Sequence, residues 1–199
     1  GIRYTHQDLA DNMWKNPYEI AGDGIDNDNN GYVDDVYGLN ALDASGDPFD
    51  DNGHGTHCAG TIGAAANNGF DHVGVAWSTQ LMALKFLDAD GFGSLSGAMN
   101  CIEYAIANGA DIINASYGGG GFSQAMADLI AAAGEAGVLF VAAAGNESNN
   151  NDTNPSYPAS YSATNVISVA AINRSDLIAG FSNFGVYAVD LAAPGVDIF

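Results

Sequence analysis

Cations are nearly missing from this sequence: 4 Lys and Arg stand against 24 Asp and Glu in 199 residues, a formal net charge of −20. Binding to a phosphate backbone needs clustered Lys and Arg, so a nucleic-acid partner is excluded. Cysteine is scarce as well. Cys58 and Cys101 form neither a CxxC nor another metal-type spacing, so zinc is not indicated, and both are read as buried free thiols in preference to a disulfide. Long apolar runs are also absent. The densest, Val138 to Ala144, has the length of a strand, far short of the roughly 20 residues that span a bilayer. The chain opens on Gly1-Ile2-Arg3 without a basic-then-apolar start, so no signal peptide is expected within it. The leader of a secreted protein would lie upstream.

What is present points to a packed protein. Apolar residues make up 47% of the chain, enough to argue against disorder despite the charge, and the length suits one domain with a substantial core. The acidic excess has two compatible readings: a solvated surface, or Asp residues that ligate cations and so relieve their mutual repulsion.

From about residue 73 onward, short apolar runs alternate with helical patterns. Leu81 to Leu87 reads as a strand. Ser94 is placed to cap a helix with apolar positions Leu95, Ala98, Met99, Ile102 and Ala105 or Ile106, stopped by Gly109. Ile112-Ile113 marks the next strand, and Met126, Leu129, Ile130 and Ala133 repeat at helical spacing before Gly137. Val138 to Ala142 is apolar throughout, as expected of a strand buried on both faces, and Val166, Ile167 and Val169 continue the pattern. Strand–helix–strand units of this length predict an α/β layered fold with a parallel sheet. Ala21 to Asn52, rich in Asp, Asn and Gly, reads as ordered loop, and 146–154 as a second polar loop.

The most informative stretch is Asp51-Asn52-Gly53-His54-Gly55-Thr56-His57-Cys58-Ala59-Gly60-Thr61, a glycine-rich loop running into a helix of small residues. His54 falls at the helix start, at the exposed end of the loop. Gly53 and Gly55 permit close backbone approach, and Ala59 and Gly60 let the helix pack tightly. His57 lies about one turn further on. Two readings of His54 stand on the residues alone: a catalytic base, or a hydrogen-bonded loop histidine. No HExxH metal pattern is present.

This stretch is similar, nearly residue for residue, to the His motif HGTHxAG of the subtilisin family (the subtilases). The resemblance implies a three-layer α/β sandwich with a mostly parallel sheet, forming one catalytic domain incomplete in residues 1–199. It implies a serine endopeptidase acting through an acyl-enzyme, with His54 as general base and His57 structural. Ala142-Ala143-Ala144-Gly145-Asn146-Glu147 resembles the oxyanion segment, with Asn146 donating its amide to the oxyanion. By the same resemblance, Gly91, Phe92 and Gly93 line one side of the substrate groove and Ser116, Tyr117 and Gly118 the other. A peptide between them would add as an extended strand. Ala143, Ala144 and Gly145 wall the primary specificity pocket, with Ser156 at its base and Tyr157-Pro158 at a turn that is often cis. No acidic residue stands at that base, so a large apolar side chain is favoured, with Glu147 at the rim tolerating Lys or Arg.

Gly1 to Leu9 matches the family's Asp motif only from its glycine onward, with Gln7 in place of the usual proline. Asp8 maps to a noncatalytic position. Leu191 to Val196 resembles the segment preceding the family's Gly-Thr-Ser-Met motif. The catalytic Asp and Ser are therefore expected outside residues 1–199, and this stretch alone is expected to be inactive. The resemblance also implies a secreted or extracellular protein whose partners are protein or peptide substrates. The rival from another class is a noncatalytic calcium-binding or peptide-binding remnant.

Asp26-Asn27-Asp28-Asn29-Asn30-Gly31-Tyr32-Val33-Asp34-Asp35 spaces oxygen ligands at alternate positions. It resembles the first half of an EF-hand loop, but its twelfth position is Tyr37 and not Glu, and flanking helices are not expected. Structural calcium on Asp26, Asp28, Asn30 and Asp34 stands against a hydrogen-bonded Asx-turn loop. Asn40, Asp43 and Asp47 form a second calcium candidate just before the His motif.

Overall fold

The computed structural model describes residues 1–70 and 72–198. They divide into two compact units, Gly1–Asn108 and the residues from Gly109 onward. The fold class is α/β, as the sequence pattern implies: every strand pair within the two sheets is parallel.

In the first unit, β1 (Gly38–Asn40) pairs in parallel with β2 (Ala83–Lys85), Gly38 opposite Ala83. Two helices follow the expected patterns. The first, α1 (His54–Gly63), begins on the histidine of the motif. The second, α2 (Leu95–Ala107), is capped by Ser94, whose Oγ accepts the Gly97 N–H at 3.0 Å and satisfies one orphan donor of the first turn. One apolar cluster packs Leu9, Met13 and Leu81 against Ala59 of α1. A second gathers Leu39, Cys101 and Tyr104. Burial pushes the Cys101 thiol up to about 12, so it stays a protonated apolar group. Cys58 is also unbridged but only half-buried, a correction to the expectation that both thiols are buried. Its place near the exposed start of α1 accounts for that.

Lys85, almost fully buried at the end of β2, donates to Asp51 Oδ1 at 2.5 Å and to the Leu87 carbonyl at 2.8 Å. The ammonium beside it holds the Asp51 carboxyl below its usual range. This pair ties the strand to the loop that leads into His54.

The second unit is a four-stranded sheet in the order β3 (Ile112–Ala115), β4 (Leu139–Ala143), β5 (Val166–Ile172), β6 (Leu191–Pro194). Between β3 and β4 runs α3 (Gln124–Glu135), capped by Ser123 and buried along Met126, Ile130 and Ala133. Spacings of four and three residues put those side chains on one face of the helix. In β4, Phe140 and Ala142 are buried while Leu139 and Ala143 are exposed. The uniform apolar run predicted burial on both faces. Only one helix is present among the described residues of this unit, however, so side chains on alternate faces meet different surroundings.

Two strands depart from the sequence reading. β1 interrupts the segment read wholly as loop, and β6 falls in a segment identified only by its resemblance. No helix among the described residues is long and apolar enough to cross a membrane.

Candidate functional site

The first candidate element is the start of α1. Gly53 has left-handed backbone (φ 105°) and supplies no side-chain cap. The cap comes from Asp50. Its Oδ1 accepts the N–H groups of Asn52 and Gly53, each at 3.0 Å, and its Oδ2 accepts the Thr56 N–H at 3.0 Å and the Thr56 hydroxyl. Thr56 Oγ1 in turn accepts the Arg3 N–H at 2.9 Å. Asn52 Oδ1 accepts the His54 N–H at 3.2 Å, while Asn52 Nδ2 donates to the Ala89 carbonyl at 2.7 Å. A Cβ on Gly55 would meet the Gly1 carbonyl oxygen at 2.0 Å, so this position of the motif requires glycine. The result is a histidine whose backbone is held on several sides while the residue itself is exposed. Its Nε2 lies 3.8 Å from Cys58 Sγ, one turn along the helix. His57 is also exposed, with its N–H spent on the Gly53 carbonyl at 3.0 Å.

Partial burial opposes ionisation of Asp50, but the donors from Gly53, Thr56 and Asn52 prevail and hold its carboxyl well below the usual range. Asp50→Ala is therefore expected to destabilise the full-length protein by roughly 0.5–2 kcal/mol, the size of a lost helix cap. Because the folded pKa is depressed, this contribution is complete above the unfolded value of about 3.9 and is lost as pH falls through the lower folded value. Denaturant unfolding of both proteins at neutral and acid pH checks this: the gap should close on acidification, and a pH-independent gap contradicts it.

The second element follows β4. Ala144 is buried, Gly145 has φ 118°, and Asn146 is exposed beyond them. The Asn146 N–H donates to Glu147 Oε2 at 3.0 Å. Two buried asparagines, Asn151 and Asn183, underlie this loop. Asn183 Oδ1 accepts the N–H groups of Glu147 (2.8 Å) and Asn149 (3.0 Å). Its Nδ2 is shared among the Ala144 carbonyl (3.1 Å), Glu147 Oε2 (2.8 Å) and Asn151 Oδ1 (3.2 Å). Asn151 Nδ2 donates to the same Ala144 carbonyl at 2.8 Å. A Cβ on Gly145 would come within 2.3 Å of Asn183 Nδ2.

The segments read as lining the substrate groove are turns and extended backbone. Leu87 and Gly93 form an antiparallel bridge closing a loop in which Gly91 has positive φ and Phe92 is 74% exposed. Ser116, Tyr117 and Gly118 leave β3. Ser116 Oγ accepts Asn114 Nδ2 at 2.9 Å, and the Gly119 N–H donates to the Tyr157 carbonyl at 3.1 Å. That last bond brings the end of this segment beside Tyr157. The Tyr157–Pro158 peptide is cis. Ser156 is held in a turn in which its N–H donates to Ser160 Oγ at 3.1 Å.

Of the acidic residues, Asp26 and Asp28 come together with Glu19, one carboxylate oxygen from each lying within 4.8 Å of the others. Asn30 sits against the pair, its N–H donating to Asp26 Oδ1 and Asp28 Oδ1, each at 3.1 Å. The Asp34 N–H donates to Glu19 Oε2 at 3.1 Å, but the Asp34 carboxylate is turned to the N–H groups of Gly22 (2.6 Å) and Gly24 (3.1 Å). Asp43 accepts the Ser45 N–H, and Asp47 accepts Tyr4 Oη and the Phe49 N–H, each in its own turn. The Asp47 carboxylate and burial together push the Tyr4 phenol up to about 12, burial being the larger cause.

Sequence reasoning missed Glu19, Asp50, Asn151 and Asn183. Asp50 had a usable signal, an acidic residue just ahead of a helix start. Glu19 and Asn151 acquire their roles when nearby loops reverse, and Asn183 when a segment more than thirty residues away folds back.

Comparison with known proteins follows the same lines. The sequence profile of the Subtilase family matches residues 1–198. Subtilisin-like protease 1 of Plasmodium vivax is 38% identical over 219 residues, covering 100% of this chain and 34% of that protein. Minor extracellular protease Epr of Bacillus subtilis is 42% identical over 161 residues, covering 81% of this chain and 24% of that protein. Among solved structures, a cold adapted subtilisin-like serine proteinase superposes with a TM-score of 0.76 at 28% identity, covering 100% of this chain and 61% of that one. The chain thus spans about a third or less of the length of these two curated relatives.

Proposed function

The chain belongs to the subtilase family, and on that premise we propose that the full-length protein is a serine endopeptidase that hydrolyses peptide bonds through an acyl-enzyme. The observation that carries this reading is His54: an exposed imidazole on the first turn of α1, with its backbone fixed by Asn52 and the Asp50 cap. In the proposed mechanism His54 takes the proton of the serine nucleophile as that oxygen attacks the scissile carbonyl, then passes it to the leaving amine. Water repeats the sequence on the acyl-enzyme. Asn146 donates its side-chain amide to the oxygen that becomes negative in the tetrahedral intermediate. The nucleophilic Ser and the Asp that orients His54 lie outside residues 1–199. Residues 1–199 are the part of one catalytic domain that supplies the base and the oxyanion donor.

In this reading Gly91, Phe92 and Gly93, and separately Ser116, Tyr117 and Gly118, offer backbone groups to an extended peptide substrate. Ala143, Ala144, Gly145 and Ser156 shape a pocket for a large apolar side chain. The engagement of Glu147 Oε2 by the Asn146 N–H and by Asn183 Nδ2 supports the apolar preference. An extracellular site of action follows the printed name of the Bacillus subtilis relative. The test of function is hydrolysis of a chromogenic peptide by the full-length protein. A rapid first turnover stoichiometric with enzyme is expected wherever deacylation is slow, and no turnover of any peptide or protein substrate opposes the reading.

The residues at Glu19, Asp26 and Asp28 fit a hard divalent cation: all three donors are carboxylate oxygens within 4.8 Å of one another. These residues would hold calcium, with the Asn30 and Asp34 N–H groups bonded to them; Asp43 and Asp47, the separate second candidate, each bond within a turn of their own. A bound cation would cancel the repulsion among the clustered carboxylates. Calcium at 100 times its Kd is then expected to stabilise the full-length protein by about 2.7 kcal/mol. Thermal unfolding with calcium and with chelator measures it, and identical midpoints would leave the loop a set of Asx turns.

A further inference from the structure

We propose that Asn183 is a positioning residue for the oxyanion donor, acting through the loop that carries Asn146; the proposal rests on the peptidase reading above.

Asn183 lies 37 positions after Asn146 and is fully buried. A buried side-chain amide is costly unless its donors and acceptor are satisfied. Here they are satisfied almost entirely by one short stretch of chain. The acceptor oxygen takes the backbone N–H groups of Glu147 and Asn149, and the two donors are shared among the Ala144 carbonyl, Glu147 Oε2 and Asn151 Oδ1. The backbone adds a further tie, since the Asn183 N–H donates to the Gly145 carbonyl at 2.9 Å. Residues 144, 145, 147 and 149 are therefore each bonded to Asn183, on both sides of Asn146. Asn146 itself is bonded at second hand, because Glu147 Oε2, which accepts Asn183 Nδ2, also accepts the Asn146 N–H.

This geometry bears on catalysis through precision. An oxyanion donor helps only if it stands about 2.7–3.1 Å from the position where charge develops. Asn146 is exposed, so packing does not hold it in place. What fixes its backbone is a rigid underlay, and Asn183 with its partner Asn151 forms that underlay. Asparagine suits the task because one planar group presents both an acceptor and donors. An aspartate of the same shape would put an oxygen against three acceptors, and alanine would leave the Glu147 and Asn149 N–H groups unpaired. Gly145 belongs to the same arrangement, because any Cβ there would strike the Asn183 amide.

The test is a double-substitution cycle in the full-length protein. It uses Asn183→Ala, Asn183→Asp and Asn146→Ala, with kcat normalised to active sites titrated by a fluorophosphonate. Each Asn183 substitution alone should lower kcat by roughly 10–100-fold with KM within a factor of two, the pattern of an interaction made only in the transition state. In the Asn146→Ala background the same substitutions should lower kcat by less than about twofold, because the donor they position is gone. A merely structural residue would shift the melting point and the titrated fraction, yet cost kcat equally in both backgrounds. Equal losses in the two backgrounds, or an undiminished kcat in the single variants, overturn the proposal. The shape-conserving Asn183→Asp decides the matter if Asn183→Ala does not accumulate. An unchanged kcat in Asn146→Ala alone overturns the oxyanion reading itself, and the proposal with it.

Discussion

Replacing His54 by alanine in the full-length protein should lower kcat by roughly 10⁶-fold while leaving the fold and KM nearly unchanged. The magnitude is carried over from subtilisin, the reference system for such substitutions, and is not deduced from the present geometry. The direction and the lack of collateral damage do follow from the structure. A serine hydroxyl is a weak nucleophile until a base accepts its proton, so removing the imidazole stops acylation at its first step. The residue is exposed at the first position of α1, so truncation opens no core cavity. The cap that holds the helix start uses the Asp50 carboxylate and not the imidazole, so α1 should begin at the same residue in the variant. Matched unfolding curves together with steady-state kinetics separate the outcomes. A loss of activity accompanied by a large loss of stability would point to a structural histidine.

Asn146→Ala should lower kcat by about 10²–10³, equivalent to about 2.7–4 kcal/mol, with KM little changed. This range too is carried over from subtilisin, where it belongs to that enzyme's oxyanion asparagine. Negative charge appears on the substrate oxygen only as the tetrahedral intermediate forms, so a donor aimed there stabilises the transition state more than the bound substrate. The backbone bonds that shape the loop run through Glu147, Asn149 and Asn183, and the Asn146 side chain is not among the groups that make them. The truncated loop should therefore keep its course. A variant that altered KM and spared kcat would place Asn146 in substrate binding and remove it from the oxyanion role.

Much of this could be read from the chain, because the readable parts were local. The start and end of α2 followed from Ser94, the apolar spacing and Gly109. The His motif announced itself because loop, histidine and small-residue helix are contiguous. β1 could not be seen this way: three residues, Gly38–Asn40, are too few to show a period inside an acidic loop. Exposure along β4 depended on which neighbours cover each face, information that a uniform apolar run does not contain. The acidic loop was half legible. Asp26 and Asp28 showed the alternation of ligand oxygens, but Glu19 joins them only by chain reversal, and Asp34 turns to the backbone of Gly22 and Gly24. Asn183 was illegible for the same reason, since nothing in Phe181-Ser182-Asn183-Phe184 marks the asparagine as buried beneath a loop more than thirty residues earlier.

The central claim, a serine peptidase whose base lies in residues 1–199 and whose nucleophile lies outside them, is tested most directly by labelling with a fluorophosphonate and mapping the modified residue by mass spectrometry. The full-length protein should take up one label on one serine outside residues 1–199, and His54→Ala should slow that labelling severely. Residues 1–199 alone should take up none. Stoichiometric labelling of any serine within residues 1–199, or a full-length protein inert to the reagent, would contradict the account.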